Sequence, residues 1–261
     1  MNKLLLPLLL CLFTTSVAAQ EIATLHVDLS RPANGITVPA DTLTPGVFPP
    51  GPMVLKGATR DLFDLEVRLV TIQPGKMFAL QTDVDSLGHL LIVKDGEVFF
   101  YPGKTLGPGG IALFSSFMEL AVNKSSSNAS FYLFTFKSRA GTNRMRALEP
   151  YPFFYRNWSE LVMQKTDKGE SRAIFSQPTM SLRNINMHAT TLDPGQISHP
   201  QHIHRAEEII LLRSGHVRMH IANGYKNASA GDIVFLPSGV PHDLENGNTG
   251  RAEYFALQWE P

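Results

Sequence analysis

The sequence predicts an all-β fold of two small barrels in tandem, preceded by a proline-rich N-terminal arm. The first observation is a repeat: residues 67–75 align without gaps with residues 187–195, so the chain looks internally duplicated. The second is local: in each repeat, short runs rich in β-branched and aromatic residues are separated by Gly, Pro, Asn and Asp, which is typical of antiparallel strands. Closure into barrels is expected because it removes exposed sheet edges.

Composition excludes several classes of protein. The chain has 261 residues, of which 43% are hydrophobic, and 23 basic side chains are balanced by 23 acidic ones. This length suits one large domain or two average ones, and the hydrophobic content excludes a disordered chain. Without an excess of positive charge, no nucleic-acid partner is expected.

Residues 1–19 have the pattern of a secretory signal peptide. Lys3 provides the positive start, and the apolar run at 4–13 is too short to span a bilayer and precedes a small-residue cleavage site. The mature chain is therefore expected to begin at about Gln20, to be secreted or periplasmic, and not to associate with a membrane. Cys11 leaves with the signal, so the mature chain must be held by its core or by a metal bound through N and O ligands.

The remaining chain divides by composition and by the repeat. The six prolines at 32–52 are too many for central strands, and helical periodicity appears only at 158–165. The predicted segments are a signal peptide at 1–19, the proline-rich arm at 20–60, an N-terminal lobe at 61–137, an inter-lobe linker with a short helix at 138–175, and a C-terminal lobe at 176–261.

Histidines are concentrated in the second repeat, which holds seven of the nine. His202 and His204 would point to the same face of a strand, and Glu208 keeps that parity and is followed by apolar residues. Such a face belongs inside a barrel, where three ionisable groups are costly to bury unless a divalent cation pairs them. His242 follows a Gly- and Pro-containing turn at 237–241 that can aim one more side chain inward.

At these residues the chain resembles the cupin superfamily, and its two repeats make it similar to a bicupin. The first family motif is matched, with one extra residue after its first glycine, by Gly195, His202, His204, Glu208 and Gly215. The second motif is matched without departure by Gly231, Pro237, Gly239, His242 and Asn246. The resemblance implies cupin-type barrels, which are jelly-roll, double-stranded β-helix structures. It covers the second lobe well and the first only through the repeat.

The resemblance also implies a metal site. Its ligands would be His202, His204, Glu208 and His242, and such a donor set suits one divalent transition metal, Mn, Fe, Ni, Cu or Zn, without selecting among them. A degenerate cupin, in which these side chains form a metal-free hydrogen-bonded cluster, is the alternative. Glu207 lies on the opposite strand parity and is expected to face solvent.

Three nearby polar residues have two interpretations each. His199, in the loop before the first ligands, could act on substrate as an acid or base, or could be a solvated loop residue. His188 could line the cavity or pack against the sheet. Arg205 could clamp an anionic substrate, or pair with Glu207 at the surface.

Other side chains of the second lobe are expected to be structural. His216 and His220 alternate with apolar residues, so they are predicted to lie outside the barrel. Barrel core or lobe interface is predicted for Phe235, Tyr254, Phe255 and Trp259.

The first lobe does not repeat the ligand pattern. The repeat places His89 at the carboxylate position, Asp83 and Asp85 at the two His positions, and Leu120 or Ala121 at the fourth. We therefore expect no metal there, and a structural lobe that packs against the second. The candidate contacts are Phe99, Phe100, Phe114 and Phe117.

Function must be argued from the site, because cupin barrels host many activities. The favoured hypothesis is a dioxygenase or decarboxylase acting on a small oxygen-rich substrate, with Glu208 and His199 as candidate catalytic residues. Quercetin-type dioxygenases and oxalate decarboxylases are bicupins with this ligand set. The alternatives are a non-catalytic binding module for a sugar or small carboxylate, and a hydrolase similar to ureidoglycine aminohydrolases, whose ligand pattern differs. The resemblance is also compatible with a homodimer formed through barrel faces.

Overall fold

The computed structural model describes residues 22–26, 43–81, 87–101, 103–114, 118–141, 143 and 153–261. The predicted signal peptide at 1–19 lies outside the described residues, as do Asp83, Asp85 and Phe117. The predicted fold of two tandem β barrels is confirmed, since nearly all regular structure in the described residues is β-strand. None of these residues forms a helix that is long and apolar enough to cross a bilayer.

The N-terminal lobe consists of two sheets that enclose an apolar core. In spatial order, the five-stranded sheet contains β1 (Ile22–His26), β5 (Met77–Gln81), β10 (Met118–Val122), β7 (Val98–Phe100) and β8 (Lys104–Leu106). The six-stranded sheet contains β12 (Phe153–Arg156), β9 (Ile111–Phe114), β6 (Leu87–Asp95), β11 (Ala129–Ser138), β4 (Leu62–Ile72) and β3 (Met53–Gly57). Leu91, Val93 and Phe131 are among the buried residues between the two sheets.

The C-terminal lobe repeats this plan. Its seven-stranded sheet contains β13 (Gln164–Thr166), β14 (Gly169–Gln177), β15 (Asn184–Leu192), β21 (Ala252–Glu260), β16 (Glu207–Ser214), β19 (Ile233–Leu236) and β2 (Gly46–Phe48). The opposite sheet contains β18 (Gly224–Ser229), β17 (His216–Ile221) and β20 (His242–Glu245). Apolar residues such as Ile210, Met219 and Leu244 fill part of the barrel.

The two lobes share one apolar core between their large sheets. Leu90 and Phe134 of the six-stranded sheet belong to the same buried cluster as Leu211 and Phe235 of the seven-stranded sheet. These residues alternate along each strand with those of the barrel interiors, because successive side chains point to opposite faces. Each large sheet is therefore covered on both faces.

The predicted lobe contact through Phe100 and Phe114 is wrong. Phe100 and Phe114 belong to the interior of the N-terminal barrel. Phe99 is half-buried, with the Lys124 ammonium 3.1 Å above its ring. The physical reason is strand parity, which turns Phe100 and Phe114 into the N-terminal barrel.

The lobes exchange strands. Each large sheet includes one strand from the chain segment that precedes the other lobe. Strand β2, from the proline-rich segment, pairs with β19 of the C-terminal lobe, and β12, from the segment between the lobes, pairs with β9 of the N-terminal lobe. Both β2 and β3 are edge strands of their sheets, which agrees with the proline content around them.

The predicted helix at 158–165 is limited to a 3₁₀ turn at Trp158–Glu160. The Glu160 carboxylate accepts a hydrogen bond from the Asn157 N–H at 2.8 Å, which favours this turn. The next residues leave the helical path because β13 pairs with β14. Sheet pairing overrides the weak helical periodicity.

Candidate metal centre

Two chain segments bring the four predicted metal ligands together. His202 and His204 lie in the loop before β16, Glu208 lies in β16, and His242 begins β20. The sequence places His202 and His204 on a strand, whereas the structure has only a single bridge, in which His202 and His242 exchange backbone hydrogen bonds of 3.1 and 3.0 Å. Gly239 N–H also donates to the His204 carbonyl at 2.9 Å. The two segments are therefore held against each other at the site.

The side chains converge on one point. One ring nitrogen from each of His202, His204 and His242 lies within 4.8 Å of the others. Nε2 of His204 and Nε2 of His242 are each 3.3 Å from Oε2 of Glu208. Three imidazoles and a carboxylate thus face a common volume.

Backbone carbonyls orient all three rings. Nδ1 of His202 lies 3.2 Å from the His242 carbonyl, Nδ1 of His204 lies 2.7 Å from the Ala206 carbonyl, and Nδ1 of His242 lies 2.8 Å from the Val240 carbonyl. A carbonyl oxygen only accepts, so each Nδ1 carries a proton and each Nε2 is turned to the site. Nε2 of His242 is buried and makes no hydrogen bond of acceptable geometry. An orphaned buried nitrogen in this donor set fits a metal ligand.

The charges of the site support ligand binding. Burial by itself raises the pKa of Glu208, but the hydrogen bond from His204 and the adjacent His242 outweigh burial and hold that pKa at about 2. The hydrogen bond to Glu208 raises the pKa of His204, whereas burial and then the electrostatic interaction with the neighbouring His242 imidazole lower the pKa of His202. A cation would meet an ionised carboxylate and would displace a proton from His204.

His199 and His188 stand next to this cluster. The His199 ring centroid is 4.0 Å from that of His202 and 6.4 Å from that of His242. Burial, and then the electrostatic interaction with the His202 imidazole, lower the pKa of His199, and burial lowers the pKa of His188. Both rings line the cavity described next, so His188 takes the first of its two predicted positions.

A cavity of about 440 Å³ opens on the cluster. Tyr254 and Gln258 of β21 line it, and Gln258 donates to Glu208 at 3.3 Å. Burial raises the pKa of Tyr254 to about 12, so its hydroxyl stays protonated and available as a donor. Lys168 is the cationic side chain among the described lining residues, and its ammonium donates to the Ser198 carbonyl at 2.9 Å.

Sequence reasoning missed part of this lining. Tyr254 was expected in the core or at the lobe interface, together with Phe255 and Trp259. Those two belong to the inter-lobe core, and Tyr254 belongs to the core of the C-terminal barrel, as predicted, but it also lines the cavity on the opposite face of β21. In the pairing of β21 with β16, Gln258 lies opposite Glu208. Tyr254 shares the strand face of Gln258, whereas Phe255 and Trp259 lie on the other face.

The predicted solvent exposure of Glu207 is wrong. Its side chain points away from Glu208, as parity requires, but only 1% of it is exposed. Its carboxylate accepts hydrogen bonds from the Thr59 hydroxyl at 2.5 Å, from the Asp61 N–H at 3.2 Å and from the Trp259 indole at 3.1 Å. Residues of the N-terminal lobe cover this face of β16. Strand periodicity predicts which face a side chain takes but not whether another lobe packs against that face.

Arg205 takes neither of its two predicted roles. Its guanidinium forms a bidentate pair with Asp61, at 2.6 and 2.9 Å, instead of pairing with Glu207 or lining the cavity. His216 and His220 lie on the outside as predicted, while Met219 between them is buried. Arg205, His216 and His220 therefore all lie outside the cavity.

The counterpart of Glu208 in the N-terminal lobe is an isolated buried imidazole. His89 is fully buried, its Nδ1 lies 3.2 Å from the Thr135 hydroxyl, and its ring packs against Phe114 at 5.5 Å. Burial lowers the pKa of His89 to about 3, so the ring is neutral.

Comparisons with known proteins agree with this architecture. Residues 188–257 match the family model of the cupin domain. No curated protein matches the chain in sequence. Among solved structures, a mutant of Bacillus subtilis oxalate decarboxylase OxdC is 16% identical, with 77% of this chain and 70% of that chain covered and a TM-score of 0.54.

Two further structures cover more of the chain. AerE from Microcystis aeruginosa is 16% identical over 82% of this chain and 99% of its own, with a TM-score of 0.57. A cupin 2 conserved barrel domain protein from Leptotrichia buccalis is 12% identical over 85% of this chain and 92% of its own, with a TM-score of 0.54. At these identities, the likeness establishes the fold.

Proposed function

Because this chain belongs to the cupin superfamily, we propose that its C-terminal barrel holds one divalent transition metal ion and acts as an enzyme on a small oxygen-rich substrate, by dioxygenase or decarboxylase chemistry. One observation carries the proposal. Three imidazoles and one carboxylate converge, and the buried Nε2 of His242 makes no hydrogen bond of acceptable geometry. This arrangement is costly without a cation.

The residues that would hold the ion are His202, His204, Glu208 and His242. Imidazole and carboxylate donors bind Mn, Fe, Ni, Cu and Zn, so availability and affinity order select the occupant. When bound, such an ion polarises a substrate oxygen or exchanges electrons with dioxygen. Glu208, ionised and held by Gln258, would supply the negative charge of the ligand set.

The cavity suggests the size and polarity of the substrate. Its volume of about 440 Å³ falls in the range of sites for small organic molecules, and it exceeds the needs of a two-carbon acid. Apolar Ile210 and Met219 and the hydroxyl of Tyr254 line it, together with Lys168 and acidic Asp167 and Glu170. The proposed substrate therefore combines oxygen donors for the metal with an apolar portion.

His199 is the proposed acid–base residue. It lines the cavity beside His202, and its lowered pKa leaves the ring neutral near pH 7, when it can accept a proton. Tyr254, which stays protonated, would hydrogen-bond to a substrate oxygen.

Metal analysis of the purified protein by inductively coupled plasma mass spectrometry tests the proposal. Near-stoichiometric metal should be present in the wild type, be lost in His242→Ala, and be retained in the control His216→Ala, whose imidazole is exposed outside the barrel. Oxygen-uptake screening would follow for Mn, Fe, Ni or Cu, and zinc would redirect the search to hydrolase or isomerase substrates. Absence of metal after reconstitution would contradict the proposal and favour a non-catalytic binding module.

A further inference from the structure

A short turn of the N-terminal lobe lies directly behind the candidate metal centre. At residues 59–62, the Thr59 hydroxyl oxygen accepts hydrogen bonds from the Asp61 N–H at 3.3 Å and the Leu62 N–H at 2.9 Å. The Thr59 N–H also donates to the Leu62 carbonyl at 2.9 Å. These bonds make the turn a rigid unit, which we call the 59–62 turn.

The 59–62 turn contacts the segment that carries three of the four ligands, His202, His204 and Glu208. Its Thr59 hydroxyl, Arg60 N–H and Asp61 N–H all donate to the Glu207 carboxylate, at 2.5, 3.0 and 3.2 Å. Its Asp61 carboxylate, 4% exposed, forms the bidentate pair with Arg205. Glu207 directly precedes Glu208 on β16, so these two side chains point to opposite faces of the strand, and Arg205 directly follows His204 in the loop before it.

The same turn reaches the second ligand-bearing segment. The Arg60 guanidinium donates to the Ser238 hydroxyl at 3.0 Å. Ser238 lies in the turn that leads into His242, and its neighbour Gly239 donates to the His204 carbonyl. Three consecutive residues of one lobe therefore contact both segments that converge on the site of the other.

The internal repeat provides a comparison within the molecule. The second copy of the turn begins at Thr179, whose hydroxyl accepts from the Ser181 N–H at 3.3 Å and the Leu182 N–H at 2.9 Å. This copy has Ser181 in place of Asp61, and the repeat position of Glu207 is occupied by Gly88. A Cβ at Gly88 would lie 2.2 Å from the Phe136 ring, so no carboxylate fits there. Of these two described copies of the turn, only the one that contacts the ligand-bearing segment has the charged anchor.

We propose that the 59–62 turn positions the metal ligands of the C-terminal barrel, with Thr59 and Asp61 as positioning residues that set metal affinity through Glu207 and Arg205. The inference rests on the proposed function, since it assumes that the site binds metal. It assigns a role to the N-terminal lobe, which supports the metal site of the C-terminal lobe without supplying any of the four ligands. Residues that orient metal ligands typically contribute about 10- to 100-fold to metal affinity.

The repeat also provides matched variants. Thr59→Val removes the hydroxyl donor to Glu207, and Asp61→Asn removes the negative charge that pairs with Arg205. Thr179→Val removes the same turn hydroxyl from the second copy and leaves the contacts to Glu207 and Arg205 intact. The measurements are the Co²⁺ dissociation constant by chelator competition, the visible absorption spectrum of bound Co²⁺, and the melting temperature of the metal-free protein. Thr59→Ser, which keeps the hydroxyl, should restore wild-type affinity.

We expect Thr59→Val and Asp61→Asn to weaken Co²⁺ binding about 10- to 100-fold and to change its spectrum, while Thr179→Val lowers the melting temperature without changing the affinity. Equal Co²⁺ affinity in wild type and Thr59→Val, or equal losses in Thr59→Val and Thr179→Val, would overturn the inference and leave the proposed metal site standing. A wild type that binds no Co²⁺ would overturn both.

Discussion

Two adjacent glutamates on β16 show how burial and neighbours set the state of a side chain. Glu207 and Glu208 are both buried, on opposite faces of the strand. Burial raises the pKa of Glu207 despite the hydrogen bonds from Thr59 and the backbone N–H of Asp61, whereas His204 and His242 hold the pKa of Glu208 well below its ordinary value. The same residue type thus serves as a structural acceptor on one face and as a candidate ligand on the other.

His89 predicts a pH dependence of stability. An unfolded chain binds a proton at this histidine with a pKa of about 6.5, but burial lowers the folded pKa to about 3. Its contribution to the free energy of unfolding is therefore present above pH 6.5 and is lost progressively as pH falls toward 3. At pH 5 the loss is roughly 2 kcal/mol.

Urea unfolding at pH 7 and pH 5 checks this expectation. The difference between the two pH values should shrink by about 2 kcal/mol in His89→Leu, because that variant has no imidazole to protonate. It should persist in His216→Leu, whose imidazole is exposed. An unchanged pH dependence in His89→Leu would show that this ring does not control acid stability.

At the scale of the strand connections, glycine is required at the two ends of the first cupin motif for different physical reasons. Gly195 and Gly215 both have positive φ angles, of 74° and 78°. A Cβ at Gly195 would meet no atom within 4 Å, whereas one at Gly215 would lie 2.6 Å from the Arg251 carbonyl oxygen. Gly96, the repeat counterpart of Gly215, has the same conformation and would place a Cβ 2.7 Å from the Asn128 carbonyl oxygen. The strand that follows this second glycine therefore passes close to a neighbouring backbone in both lobes.

This difference predicts unequal costs for the same substitution. Gly195→Ala should lower the free energy of unfolding by about 1–2 kcal/mol, the cost of a left-handed backbone conformation. Gly215→Ala should cost roughly 1–3 kcal/mol more, because a backbone oxygen must move as well. Chemical denaturation of the two variants measures the difference, and equal losses would show that the close approach is relieved without strain.

At the scale of the whole molecule, the two lobes are joined by a shared core and by exchanged strands. Phe134 of β11 and Phe235 of β19 are each at most 1% exposed and belong to one inter-lobe cluster. Strand β2 and strand β12 add backbone hydrogen bonds between segments of different lobes. A core divided in this way favours cooperative unfolding of both lobes.

Phe134→Ala should therefore destabilise the C-terminal barrel although the residue lies in the N-terminal lobe. We expect a loss of about 3–5 kcal/mol in a single urea transition. Hydrogen-exchange mass spectrometry should show faster exchange in β16 and β21 peptides, with no such effect in Tyr101→Ala, whose side chain is 70% exposed. Protection of β16 and β21 at the wild-type level would mean that the lobes unfold independently.

Much of this molecule could be predicted from periodicity and spacing. The internal repeat and the alternation of apolar residues predicted tandem β barrels, because strand propensity and two-residue periodicity are local properties. The spacing of His202, His204, Glu208 and His242 predicted a set of side chains that the structure brings together.

Only the tertiary structure decided what covers each face. Parity placed Glu207 opposite Glu208, but its burial depends on Thr59 and Asp61, which are far away in sequence. In the same way, parity separates Tyr254 from Phe255 on β21, but only sheet pairing decides that the first lines the cavity and the second joins the inter-lobe core. The physical reason is that periodicity records which face of a strand a side chain takes, whereas burial and partners depend on the element that packs against that face.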